Sequence, residues 1–465
     1  MLFQRRHEPL LAQTSYLVGC QATGEAVVVD PNLDIAAYVH AAHAEGMRIT
    51  HVVETHIHAD FVSGARALAR FTGARLLLSA EGGPDWQYRF ADDDGARLLH
   101  DGDQFTVGHL RFDVRHTPGH TPEHLSFVVT DGPAHAGPMG VLTGDFIFVG
   151  DVGRPDLLER AAGHAGTMES SARTLFRALQ RFKSSPDHWQ IWPGHGAGSA
   201  CGKSLGAVPT STVGYERIAN WALAIADESE FVRTVLTGQS DPPAYFGRMK
   251  RVNRDGPPST VPAGPPPKID AANLDAIIAD GITVLDLRPA AAFAAGHIPG
   301  TINIPLTSSF LTWAGSILPY DQPLYLLADA ASAETAARAL TLTGFDNLCG
   351  RFEPDVAGRR LQTVPQLSAA ALAQRPNTIT ILDVRARSEW DAGHIPGAIH
   401  IPLGDLAQRT NELPRNRPLV VHCQGGTRSA IAASLLQARG FTLVENLTGG
   451  YADWQRAAGA TEGDQ

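Results

Sequence analysis

The feature that most constrains this chain is an internal repeat. Asp286-Leu-Arg-Pro-Ala-Ala-Ala-Phe-Ala-Ala-Gly-His-Ile-Pro-Gly-Thr-Ile-Asn-Ile-Pro-Leu306 recurs 97 residues later as Asp383-Val-Arg-Ala-Arg-Ser-Glu-Trp-Asp-Ala-Gly-His-Ile-Pro-Gly-Ala-Ile-His-Ile-Pro-Leu403, with 12 of 21 positions identical. A sequence written twice at this length is one folding unit made twice. In both copies an apolar run precedes the motif (Ile282 to Leu287; Ile379 to Val384). A second run (Leu324 to Leu327; Leu419 to His422) leads into a helix-like segment. Strand, crossover, strand, helix predicts a small α/β domain with a parallel sheet. The expected copies are residues 268–360 and 361–465, dividing near Leu361.

Before the repeat, Arg254-Asp-Gly-Pro-Pro-Ser-Thr-Val-Pro-Ala-Gly-Pro-Pro-Pro-Lys268 is too rich in proline for helix or sheet. It predicts a semi-rigid linker over 254–267. Residues 1–253 alternate apolar runs with turn signals. Strands are expected at Ala26–Asp30, Ile49–Glu54, Phe105–Val107, Phe112–Val114, Leu125–Val129 and Val141–Leu142, with helical spacing at Leu33–Ala44 and Val62–Phe71. The mixture predicts an α/β sandwich, giving about three domains in 465 residues.

Charge narrows the function classes. There are 38 basic and 48 acidic residues, a formal balance of −10, and no basic block, so no nucleic-acid footprint is expected. No apolar run approaches a membrane span, and Met1-Leu-Phe-Gln-Arg-Arg-His7 lacks the apolar core of a signal peptide, which sets the expectation of a cytoplasmic chain. Four cysteines, Cys20, Cys201, Cys349 and Cys423, are too few for a disulfide framework and fit a reducing compartment. Cys20 and Cys349 read as packing.

Two clusters carry chemistry. In the N-terminal domain, Thr55-His-Ile-His-Ala-Asp60, His116-Thr-Pro-Gly-His120-Thr-Pro-Glu-His124, Leu142-Thr-Gly-Asp145 and Trp192-Pro-Gly-His195 each follow an apolar strand. Strand-end loops aim their side chains into one cleft, and imidazole with carboxylate suits zinc, iron or manganese. In the C-terminal copy, Leu419-Val-Val-His-Cys-Gln-Gly-Gly-Thr-Arg-Ser429 puts Cys423 on a glycine-rich loop at a helix N-terminus. Inward N–H groups and the helix dipole there stabilise a thiolate, and Arg428 adds positive charge. Aligning Pro323 with Pro418 puts Ala328 where Cys423 stands, and Asp329-Ala-Ala-Ser-Ala-Glu334 lacks both glycines and arginine. The first copy is expected to be catalytically silent.

The order HxHxD, PGHT, TGD, PGH resembles the metallo-β-lactamase fold, an αββα sandwich. In detail, Ala12-Gln-Thr-Ser-Tyr-Leu17, Glu54–Asp60, Thr117-Pro-Gly-His-Thr-Pro122 and Gly153-Arg-Pro-Asp156 resemble the persulfide dioxygenases of that superfamily. The resemblance implies one iron(II) per chain held by His56, His120 and Asp145. His58, Asp60 and His195 would then orient those ligands by hydrogen bonding. Arg154 becomes a candidate for binding a carboxylate of the thiol carrier, and Cys201 a candidate sulfur carrier. Phe61 stands where the superfamily pattern HxHxDH ends in histidine, which disfavours a dinuclear hydrolase.

The segment Asp383–Arg385, Gly393–Gly397 and Cys423–Arg428 resembles a rhodanese. That implies a persulfide on Cys423, cradled by the loop Cys423, Gln424, Gly425, Gly426, Thr427 and Arg428. The six-residue length fits sulfur rather than phosphate-type substrates. The whole chain is similar to fusions of a persulfide dioxygenase with two rhodanese-like domains. The expected substrates are glutathione persulfide or a related small persulfide, O2, sulfite and thiosulfate, and the expected assembly is a homo-oligomer, dimer or tetramer. Two other readings stay open, a zinc thioesterase of the glyoxalase II kind joined to a sulfurtransferase, and a non-catalytic persulfide sensor or carrier.

Overall fold

The computed structural model describes residues 1–160, 166–257, 264–355, 360–375 and 379–462. The middle of the expected linker, 258–263, lies outside them. The chain forms two compact units, Met1–Pro262 with Thr341–Gly344, and Ala263–Leu340 with Phe345–Gln465.

The first unit holds two six-stranded sheets. One runs in spatial order β1 (Leu2–Glu8), β2 (Gln13–Cys20), β3 (Glu25–Val29), β4 (Arg48–Val53), β5 (Arg75–Ser79) and β6 (Arg97–Leu99). The other comprises β7 (Gln104–Val107), β8 (Leu110–His116), β9 (Leu125–Asp131), β10 (Gly140–Gly144), β11 (Gln190–Pro193) and β12 (Ser211–Thr212). Strand periodicity explains how they stack. On β3, Val27 and Val29 face the second sheet, while Ala26 and Val28 face the helices Ile35–Ala44 and Ala65–Thr72. Tyr16, Val18, Val53 and Leu77 meet Phe112, Phe127 and Leu142 between the sheets. Outside the second sheet, Val128, Val141 and Ile191 pack under Met168–Phe182 and Glu228–Leu236. Helix, sheet, sheet, helix is the αββα order. Covering both faces of a strand is why its sequence reads as an unbroken apolar run.

In the second unit the repeat becomes two sheets of one topology, every pairing parallel. The first is ordered β14 (Ile302–Asn303), β13 (Thr283–Asp286), β15 (Leu324–Leu327), β16 (Leu348–Phe352). The second is ordered β19 (Ile399–His400), β18 (Thr380–Asp383), β20 (Leu419–His422), β21 (Val444–Leu447), with β17 (Gln366–Leu367) added beyond β21. Asp286 pairs with Asn303 as Asp383 pairs with His400, so the register repeats with the sequence. The two copies pack together, with Asn303 N–H donating to Ser434 Oγ at 2.9 Å and Val364 N–H to the Ala294 carbonyl at 3.0 Å.

The structure corrects one expected element. Arg254 and Asp255, read as the start of the linker, finish the helix Phe246–Asp255. Its polar sequence hides the fact that Phe246, Met249 and Asn253 are buried.

Candidate metal centre and sulfur loop

The metal-type residues leave the C-terminal ends of β4, β10 and β11 and the loop between β8 and β9. All are buried. The donor atoms of His56, His120 and Asp145 lie within 4.8 Å of one another, and so do those of Asp60, His195 and Cys201. Three Nε2 atoms approach Asp145 Oδ2, His56 at 3.9 Å, His120 at 3.5 Å and His195 at 3.5 Å. His195 also lies 3.3 Å from Asp60.

Hydrogen bonds set the tautomers. Thr55 Oγ1 donates to Asp30 Oδ2 at 2.9 Å and so accepts from His56 Nδ1 at 2.9 Å. His120 Nδ1 donates to the Arg154 carbonyl at 3.1 Å, and His195 Nδ1 to the Ala12 carbonyl at 3.0 Å. In each ring Nδ1 is thereby occupied and Nε2 is the nitrogen turned to the cluster, the one available to a metal. Burial holds His56 well below its usual imidazole range and lowers His120 as well, which keeps both neutral. Both carboxylate oxygens of Asp145 and both of Asp60 are buried without a hydrogen-bond donor. Four such oxygens beside two neutral imidazoles are costly unless a cation satisfies them, so the residues present fit a bound metal ion.

The surroundings are built with strain. Ala12 and Asp30, both at φ 51°, occupy the left-handed region that glycine favours, and both serve the site through the contacts just given. Gly194 is needed because a Cβ there would come within 2.7 Å of Asp145 Oδ1. His124, to which the sequence pattern gives no role, accepts from the Asp145 N–H through Nε2 at 3.0 Å and donates from Nδ1 to Thr117 Oγ1 at 2.8 Å.

His58 turns from the cluster to Asp30, at 3.2 Å. Burial opposes its charge, but Asp30, Glu54 and Asp60 raise it to about 9, so it stands as a cation in an ion pair. Phe61 is fully buried, its ring 4.4 Å from that of His58.

Arg154 sits differently from the carboxylate-binding role expected of it. It is fully buried, paired with Asp156 at 2.7 Å and donating to the carbonyls of Ser240 at 2.6 Å and Ala200 at 3.2 Å. Its guanidinium is used up in holding the loop whose carbonyl orients His120. Cys201 is buried beside Asp60 and His195, and burial, then the carboxylates of Asp60 and Asp145, push its thiol well up.

Asn253 was invisible in the sequence. Its Nδ2 donates to the carbonyls of His58 (2.8 Å) and Phe61 (2.7 Å), and its Oδ1 accepts from Ser63 N–H at 2.9 Å. Replacing it with alanine strands two buried carbonyls, a loss of about 1–3 kcal/mol. The expected result is a thermal midpoint lower by several degrees and roughly tenfold weaker metal retention, measured by melting and chelator competition.

In the second unit, Cys423 follows β20 and is buried. Its Sγ accepts from Gly426 N–H at 3.1 Å, and Ser429 Oγ lies at 3.6 Å. Gly426, at φ 102°, turns the loop into the helix Thr427–Ala438. Gly450 leaves room for the loop, since a Cβ there would fall 2.3 Å from the Cys423 carbonyl oxygen. Arg385, locked by Asp383 at 2.7 Å, reaches Gln424 Oε1 at 3.2 Å. Arg428 makes a two-pronged pair with Glu389, at 2.6 and 2.7 Å, which fixes the guanidinium beside the loop.

Burial works against the Glu389 charge, yet Arg428 and the Ala386 N–H hold it below the usual carboxylate range. A lowered carboxyl pKa means that the pair is intact at neutral pH and is lost as pH falls through that value. Under the sulfur-transfer role that the sequence resemblance implies, Glu389→Gln is expected to cut thiosulfate-to-cyanide kcat/KM about tenfold at pH 7 and to remove the corresponding limb of the acid pH profile.

In the first copy Ala328 follows β15, and Asp329 caps the next helix through Ser332 N–H at 2.9 Å, leaving no cradle. The scaffold persists, with Arg288 bound to Asp286 at 2.6 Å. Cys349 is not packed as expected; it is half-exposed on β16 with its thiol 3.2 Å from Asn347 Oδ1.

The metallo-beta-lactamase superfamily matches residues 9–195, and the Rhodanese-like domain matches residues 270–353 and 367–457. A metallo-beta-lactamase from Staphylococcus aureus subsp. aureus COL, solved as a crystal structure, is 40% identical, covering 76% of this chain and 99% of that one, with a TM-score of 0.69. Persulfide dioxygenase ETHE1, mitochondrial, of Bos taurus is 28% identical over 240 residues, 50% of this chain and 80% of that protein. YrkF of Bacillus subtilis (strain 168) is 39% identical over 95 residues, and the chain spans about half of its length (51%). The chain therefore belongs to the metallo-beta-lactamase superfamily, in a fusion that carries two rhodanese-like domains behind the metallo-beta-lactamase fold.

Proposed function

We propose that the first domain is an iron(II) persulfide dioxygenase and that the last is a sulfurtransferase working on the same pool of sulfane sulfur. The observation that carries the first part is the buried set His56, His120 and Asp145, in which two neutral imidazoles face a carboxylate that no hydrogen bond satisfies. Two histidines and one carboxylate form the donor set of non-haem iron oxygenases. Iron(II) held by these three residues would supply dioxygen activation.

The overall reaction takes R–S–SH, O2 and H2O to R–SH, sulfite and two protons. The chain's residues prepare for it. Arg154 and Ala12 fix the ring orientations, His124 fixes the Asp145 backbone, and Thr55 with Asp30 fixes His56. In the last domain, Cys423 takes a sulfane sulfur as a persulfide, Gly426 N–H and the loop hold the outer sulfur, and Arg428 balances its charge. Attack by sulfite on that sulfur releases thiosulfate and returns the Cys423 thiolate; the reverse direction loads Cys423 from thiosulfate. The boundaries proposed for these parts are 1–255, the first domain running to the end of its last helix, then 268–360 and 361–465. The proposed setting is the cytoplasm and the proposed assembly a homo-oligomer; among the described residues no helix is long and apolar enough to cross a membrane.

The test is dissolved-oxygen uptake by iron-loaded protein given glutathione persulfide. Rapid uptake with sulfite or thiosulfate appearing is expected, and its absence despite bound iron overturns the dioxygenase. The second donor set, Asp60, His195 and Cys201, favours one other reading, a dinuclear zinc thioesterase. Two zinc ions per chain with thioester hydrolysis would establish that reading in place of one iron with oxygen uptake.

A further inference from the structure

On the far side of the second sheet, away from the interior between the sheets, a cleft of about 350 Å³ lies between the outer face of β8–β10 and the C-terminal end of the helix Met168–Phe182. Arg115 on β8 and Arg181 on the helix both line it. Among the described residues, neither guanidinium makes a hydrogen bond or ion pair, although the chain as a whole carries a formal charge of −10. The indole Nε1 of Trp189, also in the lining, is buried with no hydrogen-bond partner. Phe182 adds an apolar wall. The acidic lining residue, Asp101, is already engaged, its Oδ1 accepting from His116 N–H at 2.8 Å.

We propose that this cleft is a binding site for a small anion that presents a carboxylate or oxoanion group to Arg115 and Arg181. Two planar guanidinium forks match such a group in pairs of hydrogen bonds, and the indole N–H supplies a further donor. The aromatic walls accept whatever apolar body the anion carries. The site is separate from the metal cluster but joined to it. Thr117 lines the cleft, and its hydroxyl is the partner of His124 Nδ1, whose Nε2 holds the Asp145 backbone. An occupant pressing on Thr117 therefore acts on the placement of a candidate metal ligand through two hydrogen bonds.

The test is calorimetric titration of the full chain with sodium sulfate and, separately, sodium benzoate. Saturable binding is expected, weakened at least about tenfold by Arg115→Gln and again by Arg181→Gln, as expected for loss of one charge-assisted pair each. Both arginines are exposed, so the variants should melt like the parent, which the same samples report. Tighter binding of benzoate identifies an organic carboxylate as the occupant, and tighter binding of sulfate an inorganic oxoanion. No binding of either probe, or isotherms unchanged in both variants, overturns the proposal.

Discussion

Replacing Asp145 with alanine is expected to reduce metal retention by more than about a hundredfold, and oxygen uptake with it, while thiosulfate-to-cyanide sulfur transfer continues at the parental rate. The magnitude follows from position. Even partners that merely orient ligands are worth about 10–100-fold in metal affinity, and Asp145 is the carboxylate on which three Nε2 atoms converge. The variant removes two buried oxygens that lack donors, so the apoprotein fold should not suffer and could even gain in stability. Metal analysis after gel filtration, with both activities assayed on one sample, checks the expectation. Unchanged oxygen uptake would remove Asp145 from the ligand set.

Replacing Cys423 with serine should give the mirror image. Sulfur transfer falls at least about a thousandfold, because a serine oxygen cannot carry a sulfane sulfur, while oxygen uptake is retained. The loop should keep its shape, since Gly426 N–H and Ser429 Oγ can both bond an oxygen in place of Sγ. Thiocyanate formation surviving in this variant would show that another thiol is competent, and half-exposed Cys349 is the first to examine.

What the sequence disclosed follows from how far each signal reaches. The repeat and the strand-end histidines are local patterns, written within ten or twenty residues, and both were legible. Other parts depend on distant partners. The strand Leu2–Glu8 carries Arg5, Arg6 and His7 and has no apolar alternation; it exists because it pairs residue for residue with Gln13 to Gly19. The helix Met168–Phe182, by contrast, carries its own local signal, an apolar stripe at Ala172, Leu175, Phe176 and Leu179. Asn253 contacts Ser63 across 190 residues, a separation no local spacing can report. Arg154 offered a clue nearby, since Asp156 follows it by two residues and turned out to be its partner.

The helix that carries Asn253 also decides how this protein can be cut. Residues 9–195 contain every donor of the His56, His120 and Asp145 set, and on sequence similarity alone they would be taken as a self-sufficient module. A fragment ending there loses Cys201, the Ser240 carbonyl that anchors Arg154, and the amide that closes the His58–Ser63 loop. Dissection of the metallo-beta-lactamase half should therefore keep the chain through Asp255, and shorter pieces should be judged by their metal content before any activity.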